Sequence, residues 1–267
     1  MICVLGDAHL DVVVRLAGPF VEETDTPAAT AVGVGGQGAN VAAWVTALGG
    51  GSRLIAARGT DLAADLVSAE LSRRGVELVG PVIAGSTGVV VSLSDGGHHR
   101  SMLTDRGVGT GLAPEQVQPD WLAGCDWLHV SAYAFASEPM RGAALAAVDA
   151  ARAASARVSV DLASTAMIET VGVETFSALL TVVAPDVVFG NGAEAALLGG
   201  ALAAHNLIVK LGADGVRVAG SRVPALPTVA VDATGAGDAF AAGYLLGGVE
   251  LGLAAAARAV AKMGAMP

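Results

Sequence analysis

The chain has 267 residues, a formal net charge of −10 and 53% hydrophobic residues, of which the aromatics make up only 4% of the chain. That length accommodates one large α/β domain with a sizeable core, and an interior of alanine, valine, leucine and glycine suits buried parallel strands covered by alanine-rich helices. The acidic balance argues against nucleic acid as a partner, charges or glycines interrupt every run that could reach the roughly 20 apolar residues of a membrane span, and two cysteines far apart in sequence, Cys3 and Cys125, make no disulfide framework or zinc site.

"ICVLG" (2–6) reads as a central strand, and "LDVVVRL" (10–16) as a second. The opening "MICVLGDAHLDVVV" has no basic leader or cleavage site and reads as a mature cytoplasmic start. Residues 38–49 repeat apolar side chains at helical spacing and stop at glycines. "RLIAARG" (53–59) is a strand, and 61–75 an amphipathic helix that opens on Asp61 and closes on Gly75. Valine and turn residues then dominate 76–107, with a hairpin signal at Asp95-Gly96-Gly97, and this region reads as a small β lid. Beyond it, strands at 126–130, 157–162, 185–191, 206–212 and 215–220 alternate with helices at 139–153, 173–180 and 192–200. Two final helices follow at about 237–247 and 250–262. The expected fold is therefore α/β: a Rossmann-like αβα sandwich with a mostly parallel sheet and a small β lid, in a single domain spanning 1–267 with lid segments around 9–34 and 77–107.

Two glycine-rich stretches carry the chemistry. In the first, "VGVGGQGANVAAWVTALGG" (32–50), Gly33 to Gly38 match the G-x-G-x-x-G dinucleotide pattern, but the preceding "PAATA" makes a poor strand and the first good strand ends at Gly6. Asn40 is open to two readings: a helix cap, or an amide that holds a polyhydroxylated ligand which the glycines admit to the backbone. In the second stretch, "VDATGAGDAFAAGYL" (231–245), Gly235-Ala236-Gly237 precedes a helix whose first-turn amides and dipole make an anion site. Phosphoryl transfer spreads negative charge, which such a site stabilises. Asp238 at that place is either a cap or the base that takes a proton from an attacking hydroxyl. The chain has only two lysines, Lys210 and Lys262, and no Walker Gly-Lys-Ser/Thr, so nucleotide phosphates would need another device.

These stretches resemble the ribokinase-like (PfkB) family of sugar and nucleoside kinases. "DATGAGD" (232–238) is similar to its C-terminal signature D-T-x-G-A-G-D, with Ala233 in the usual threonine position, and "GGQGANVAAWVTALGG" (35–50) to its N-terminal one. "GDAHLDVV" (6–13), "GTDLAADLVSAELSRRGV" (59–76), "NGAE" (191–194) and "VKLGADGV" (209–216) extend the resemblance over nearly the whole chain. It implies phosphorylation of a hydroxyl by ATP with Mg²⁺. Asp238 would then be the base and the amides of Gly235, Ala236 and Gly237 the anion hole. Asp11, Gly35, Gly36 and Asn40 would hold the substrate, joined by His9 and Arg106 in the same cleft. Asn191 and Glu194 would organise Mg²⁺, Glu194 through water, with a capping box as the competing reading of their spacing. Lys210, Gly212 and Gly215 would lie along the nucleotide, and Asp232 would help to bind a monovalent cation such as K⁺. Asp11 also reads as an ordinary strand-end acid.

His9 stands where ribokinases often have asparagine, and "HHRSMLTDR" (98–106) is more cationic than a lid over a neutral sugar requires. Arg100 or Arg106 would suit a substrate carboxylate or phosphate, or merely face solvent on a lid strand. His129 and Tyr133 either line the pocket or belong to the core. The leading expectation is a small-sugar kinase. The alternatives are a nucleoside or sugar-acid kinase, a catalytically idle sugar or nucleotide sensor, and a nicotinamide-dependent oxidoreductase built on Gly33 to Gly38. Homodimerisation through lid strands follows from the resemblance, and an exposed sheet edge is a ready pairing surface.

Overall fold

The computed structural model describes residues 1–94, 100–202 and 206–267. In chain order the strands and helices are β1 (Ile2–Leu5), β2 (His9–Leu16), β3 (Ala28–Gly35), α1 (Gln37–Ala47), β4 (Ser52–Ile55), α2 (Leu62–Arg73) and β5 (Glu77–Val79). Next come β6 (Thr87–Ser94), β7 (Arg100–Gly107), β8 (Trp127–Ser131), α3 (Met140–Ala153), β9 (Arg157–Asp161), α4 (Thr165–Val171) and α5 (Val173–Val183). The chain closes with β10 (Val187–Asn191), α6 (Gly192–Leu198), β11 (Leu207–Lys210), β12 (Val216–Val218), β13 (Ser221–Val223) and α7 (Ala236–Val260).

Nine strands form the main sheet, in the order β13-β12-β11-β10-β9-β8-β1-β4-β5, parallel from β11 to β5 and antiparallel at the β12 and β13 edge. Both faces are covered, which is why β1 reads as an unbroken apolar run. Cys3 and Leu5 join one core with Phe135, Phe176 and Leu162, while Ile2 and Val4 join the other with Trp44, Phe189 and Phe240. Each fully buried large side chain of this kind contributes about 1.5–3 kcal/mol relative to exposure. A second, four-stranded sheet, β3-β2-β6-β7, is the lid.

Several sequence expectations change here. Residues 28–35, a poor strand by composition, pair with β2 over its whole length, because a partner strand supplies the hydrogen bonds that local propensity does not predict. Residues 77–79 lie beside β4 at the end of the main sheet, so the second lid segment starts at Thr87. Strand β13 and helix α4 were not expected. The two thiols, distant in sequence, meet: Cys3 and Cys125 are both buried and free, and their contact pushes the Cys3 thiol far up and the Cys125 thiol down. The hairpin signal at 95–97 and the side chain of Arg100 lie outside the described residues.

Helix α7 is two helices in effect, broken at Gly247 and Gly248 as the glycine pair suggests. It is the one helix among the described residues long and apolar enough to cross a membrane, with half of its apolar window buried in the protein. It packs on α1, and a Cβ on Gly237 in its first turn would lie 3.2 Å from Lys210 Nζ at the end of β11.

Candidate active site

Parallel α/β sheets place their ligands at the carboxyl ends of the strands, where the order of strands reverses. Here β1 is flanked by β4 on one side and β8 on the other, and Asp7, Ser131, Asp161, Asn191 and Lys210 all stand at such ends. The N-termini of α1 and α7 point to the same rim.

At α7 the chain turns through Gly235 in the left-handed region (φ 75°). A Cβ there would lie 2.6 Å from the Cα of Ala265, so only glycine fits. Asp238 follows in the first turn, and its Oδ2 accepts a 2.8 Å hydrogen bond from Asn40 Nδ2. Burial, with the Asp161 charge behind it, pushes the Asp238 carboxyl up to about 7, against the pull of Asn40 and Lys210. Asp238 therefore titrates where a base working at neutral pH should. Asn40 is no cap: the N-cap of α1 is Gly36, and the Asn40 Oδ1 is buried without a hydrogen-bond partner.

The glycines before α1 are required by the chain itself. A Cβ on Gly35 would lie 2.1 Å from Asp11 Oδ2, and one on Gly36 2.5 Å from the Asp7 carbonyl oxygen. The Asp11 carboxylate thus rests on the Gly35 backbone, with His9 Nε2 3.0 Å from its Oδ1. Burial opposes a charge on His9, and the neighbouring Asp11 and Asp7 outweigh it, leaving the imidazole above the usual histidine range. Arg106 reaches across from the lid: Nη1 lies 3.4 Å from Asp7 Oδ2 and the guanidinium stacks 4.3 Å above the Tyr133 ring. Asp7, His9, Arg106 and Tyr133, together with Thr104, line a cleft between lid and sheet, whereas Asp11 lies outside that lining, in a second groove with Val34 and the C-terminal segment.

Asn191 and Glu194 realise the capping box completely. Asn191 Oδ1 accepts from the amides of Ala193 and Glu194, while Glu194 accepts from the Asn191 amide and side chain, all at 2.8–2.9 Å. Glu194 is 3% exposed, and burial raises its carboxyl above the ordinary range. No group of three or more potential metal ligands exists among the described residues. Asn191 and Glu194 would hold a Mg²⁺ only through its waters, since that ion seldom takes an all-protein cage.

Lys210 pairs with the buried Asp161 at 2.6 Å, keeping part of its own side chain exposed at the rim. Gly215 is required by its own chain, a Cβ there striking the Val223 carbonyl at 2.1 Å, whereas Gly212 faces open space. Asp232 is a latch: it accepts from Thr234 and, at 3.0 Å, from the Gly264 amide, tying the turn to the C-terminal segment. His129 belongs to the core, fully buried and bonded to Ser159 Oγ, with burial lowering its pKa to about 4. Tyr133 lines the cleft. Sequence reading passed over Asp7 and Asp161; the available signal was an acid ending or following an otherwise apolar strand, in "ICVLGD" and "VSVD".

The pattern of the pfkB family carbohydrate kinases matches residues 1–266. The chain belongs to that family. This kinase is 32% identical over 262 residues to an ATP-dependent ribose-1-phosphate kinase of Halopiger xanaduensis, covering 92% of this chain and 84% of that one. It is 30% identical to a fructokinase of Klebsiella pneumoniae, covering 92% and 83%. Its fold matches a putative ribokinase II from E. coli, solved with ATP and Mg²⁺, at a TM-score of 0.83 and 22% identity, over 99% of this chain and 94% of the other. The kinase is thus a sugar or nucleoside kinase by family, with the expected α/β architecture.

Proposed function

We propose that this kinase transfers a phosphoryl group from Mg·ATP to a hydroxyl of a small sugar, with Asp238 as the base. The observation that carries the reading is Asp238 itself, a carboxyl held by Asn40 beside a helix N-terminus and pushed to a pKa of about 7. Asp238 takes the proton of the acceptor hydroxyl, while the amides of Gly235, Ala236 and Gly237 and the dipole of α7 face the charge that develops on the phosphoryl oxygens. Asn40 keeps a buried oxygen, Oδ1, without a hydrogen-bond donor, and a sugar hydroxyl would satisfy it; Asp11 Oδ1 already faces His9 Nε2 at 3.0 Å and would share a hydroxyl with it. Mg²⁺, when bound, would neutralise phosphate charge; Glu194 would act on its waters, and Gly212 would leave room for the nucleotide. Asp232 secures the turn, a role that a K⁺ ion beside it would share.

Arg106 supports a narrower version, in which the sugar carries a phosphate or carboxylate. The guanidinium is held flat on Tyr133 at the cleft, with 38% of its side chain exposed, and its one carboxylate contact among the described residues is long. The resemblance to a ribose-1-phosphate kinase points the same way. The lid edges β3 and β7, with Val32, Met102 and Leu103 exposed, are the surface through which two copies would pair.

The test is ADP production from Mg·ATP over a panel of neutral sugars, sugar acids, sugar phosphates and nucleosides, with Asp238→Asn as control. Turnover lost in the variant supports the reading; turnover that survives it removes Asp238 as base.

A further inference from the structure

The ion pair between Asp161 and Lys210 is left unused by a scheme of base and glycine turn. Lys210 Nζ donates to Asp161 Oδ2 at 2.6 Å, and Asp161 Oδ1 also accepts from the Ala163 amide. Asp161 ends β9 and Lys210 ends β11, so the pair crosses the carboxyl rim over β10. The two partners differ in exposure: the aspartate side chain keeps 1% of its surface, the lysine 19%. The lysine is the member that a ligand can reach.

Its position is specific. A methyl group built on Gly237 would lie 3.2 Å from Lys210 Nζ, so the ammonium rests against the first turn of α7. Two positive features, a helix N-terminus and an ammonium, therefore converge on one spot. The carboxylates of Asp161 and Asp238 offset part of that charge, and the exposed side of the ammonium, beside the free amides of the turn, suits a further anion. Nor does the pair serve stability well, because replacing a buried ion pair with apolar groups is often neutral or stabilising. Burial works against the lysine's charge, and Asp161, then Asp238 and Glu194, outweigh it and hold the ammonium more firmly protonated than usual.

We propose that Lys210 is a catalytic residue whose ammonium contacts the phosphoryl group as it crosses the Gly235–Gly237 turn, and that Asp161 is the positioning residue that aims it. This rests on the kinase reading above. In the transfer, the acceptor oxygen gains the bond to phosphorus and the bridging oxygen of the nucleotide leaves with the electron pair. The hydroxyl proton passes to Asp238. Lys210 keeps its three protons throughout and offsets the charge that moves, work done in P-loop enzymes by a lysine that this chain lacks.

The experiment compares the parent with Lys210→Met, Lys210→Arg, Asp161→Asn and the double variant Asp161→Asn/Lys210→Met. Two quantities are read: turnover on the sugar that the parent phosphorylates, and the rise in thermal midpoint when fluoroaluminate, a mimic of the transferring phosphoryl, is added to enzyme with Mg·ADP. Lys210→Met should lower kcat about 10²–10³-fold with the sugar KM unchanged within about threefold, and should abolish the fluoroaluminate rise. Lys210→Arg should recover part of both. Lys210→Met strands a buried carboxylate and can unfold; the double variant removes both charges, keeps the fold and should show the same two losses. Asp161→Asn should cost less alone and nothing further beside Lys210→Met, because Asp161 acts only through the lysine. A folded double variant that keeps its turnover and its fluoroaluminate rise overturns the proposal. A parent that neither binds Mg·ADP nor phosphorylates any sugar overturns the kinase reading and this one together; an active parent with an indifferent double variant overturns this one alone.

Discussion

Asn40 and Asp238 stand 198 positions apart in the chain and are joined by a 2.8 Å hydrogen bond from amide to carboxylate. The bond ties the first turn of α1 to the first turn of α7 and holds the carboxyl that burial would otherwise leave loose at the rim. It also lowers the proton affinity of Asp238, against burial and the Asp161 charge.

Removing that bond has a signed consequence. In Asn40→Ala the Asp238 pKa rises above its present value of about 7, so less of the base is ionised at neutral pH. The acid limb of the kcat/KM profile should move to higher pH, and part of the loss at pH 7 should be regained at alkaline pH. A profile whose acid limb stays in place would separate Asn40 from the titration of the base.

Asp238→Asn should lower kcat by about 10²–10⁴-fold while making the protein more stable at alkaline pH. The folded-state pKa of Asp238 lies above the ordinary carboxyl value, so protonation favours the fold. The stability that protonation supplies is complete below the unfolded pKa and lost as pH rises through about 7. The gain in thermal midpoint for the variant should therefore be larger at pH 8 than at pH 5, which scanning calorimetry at the two pH values would show.

Gly35→Ala should expel the Asp11 carboxylate, since the new methyl would sit 2.1 Å from Asp11 Oδ2. Loss of a charged hydrogen bond to the sugar costs about 1.5–3 kcal/mol, so the sugar KM should rise about 10- to 150-fold with nucleotide affinity unchanged. Isothermal titration of each substrate separately would check this.

Glu194→Gln keeps the shape and one of the two acceptors that the Asn191 amide and side chain use, and its effect separates the two roles of that residue. If Glu194 works only through the capping box, stability falls by about 0.5–2 kcal/mol and the Mg²⁺ dependence stays put. The expected outcome is a higher Mg²⁺ concentration for half-maximal rate, read from initial rates across a Mg²⁺ titration.

Arg106→Leu should discriminate between acceptors. For an anionic sugar the KM should rise about 10- to 150-fold, the cost of one charge-assisted hydrogen bond, and for a neutral sugar change little. Equal effects on both would assign Arg106 to packing on Tyr133.

The strand and helix plan was legible because its signals are local. Asp61 caps α2 at the residue where sequence places the helix start, accepting from the Ala64 amide at 3.1 Å. The Gly247-Gly248 pair breaks the last helix where expected. Strand β3 was not legible, because its alanines and glycines carry little strand propensity and its hydrogen bonds come from β2. For the same reason β5 was assigned to the wrong sheet: a three-residue strand takes its identity from the neighbour it pairs with.

By itself, then, the sequence determined the α/β alternation, the two glycine turns, the acids beside them and, through their order along the chain, the resemblance to a kinase family. Periodicity, caps and turn residues act over a few positions, so one dimension suffices to read them. Only the tertiary structure decided what each polar group faces. It gave Glu194 a capping partner in Asn191, tied Asp232 to the Gly264 amide, set Asp11 on Gly35 and carried Lys210 to a buried aspartate against the first turn of α7. Those assignments depend on distances between strand ends far apart in the chain, and on burial that strengthens every charge it encloses.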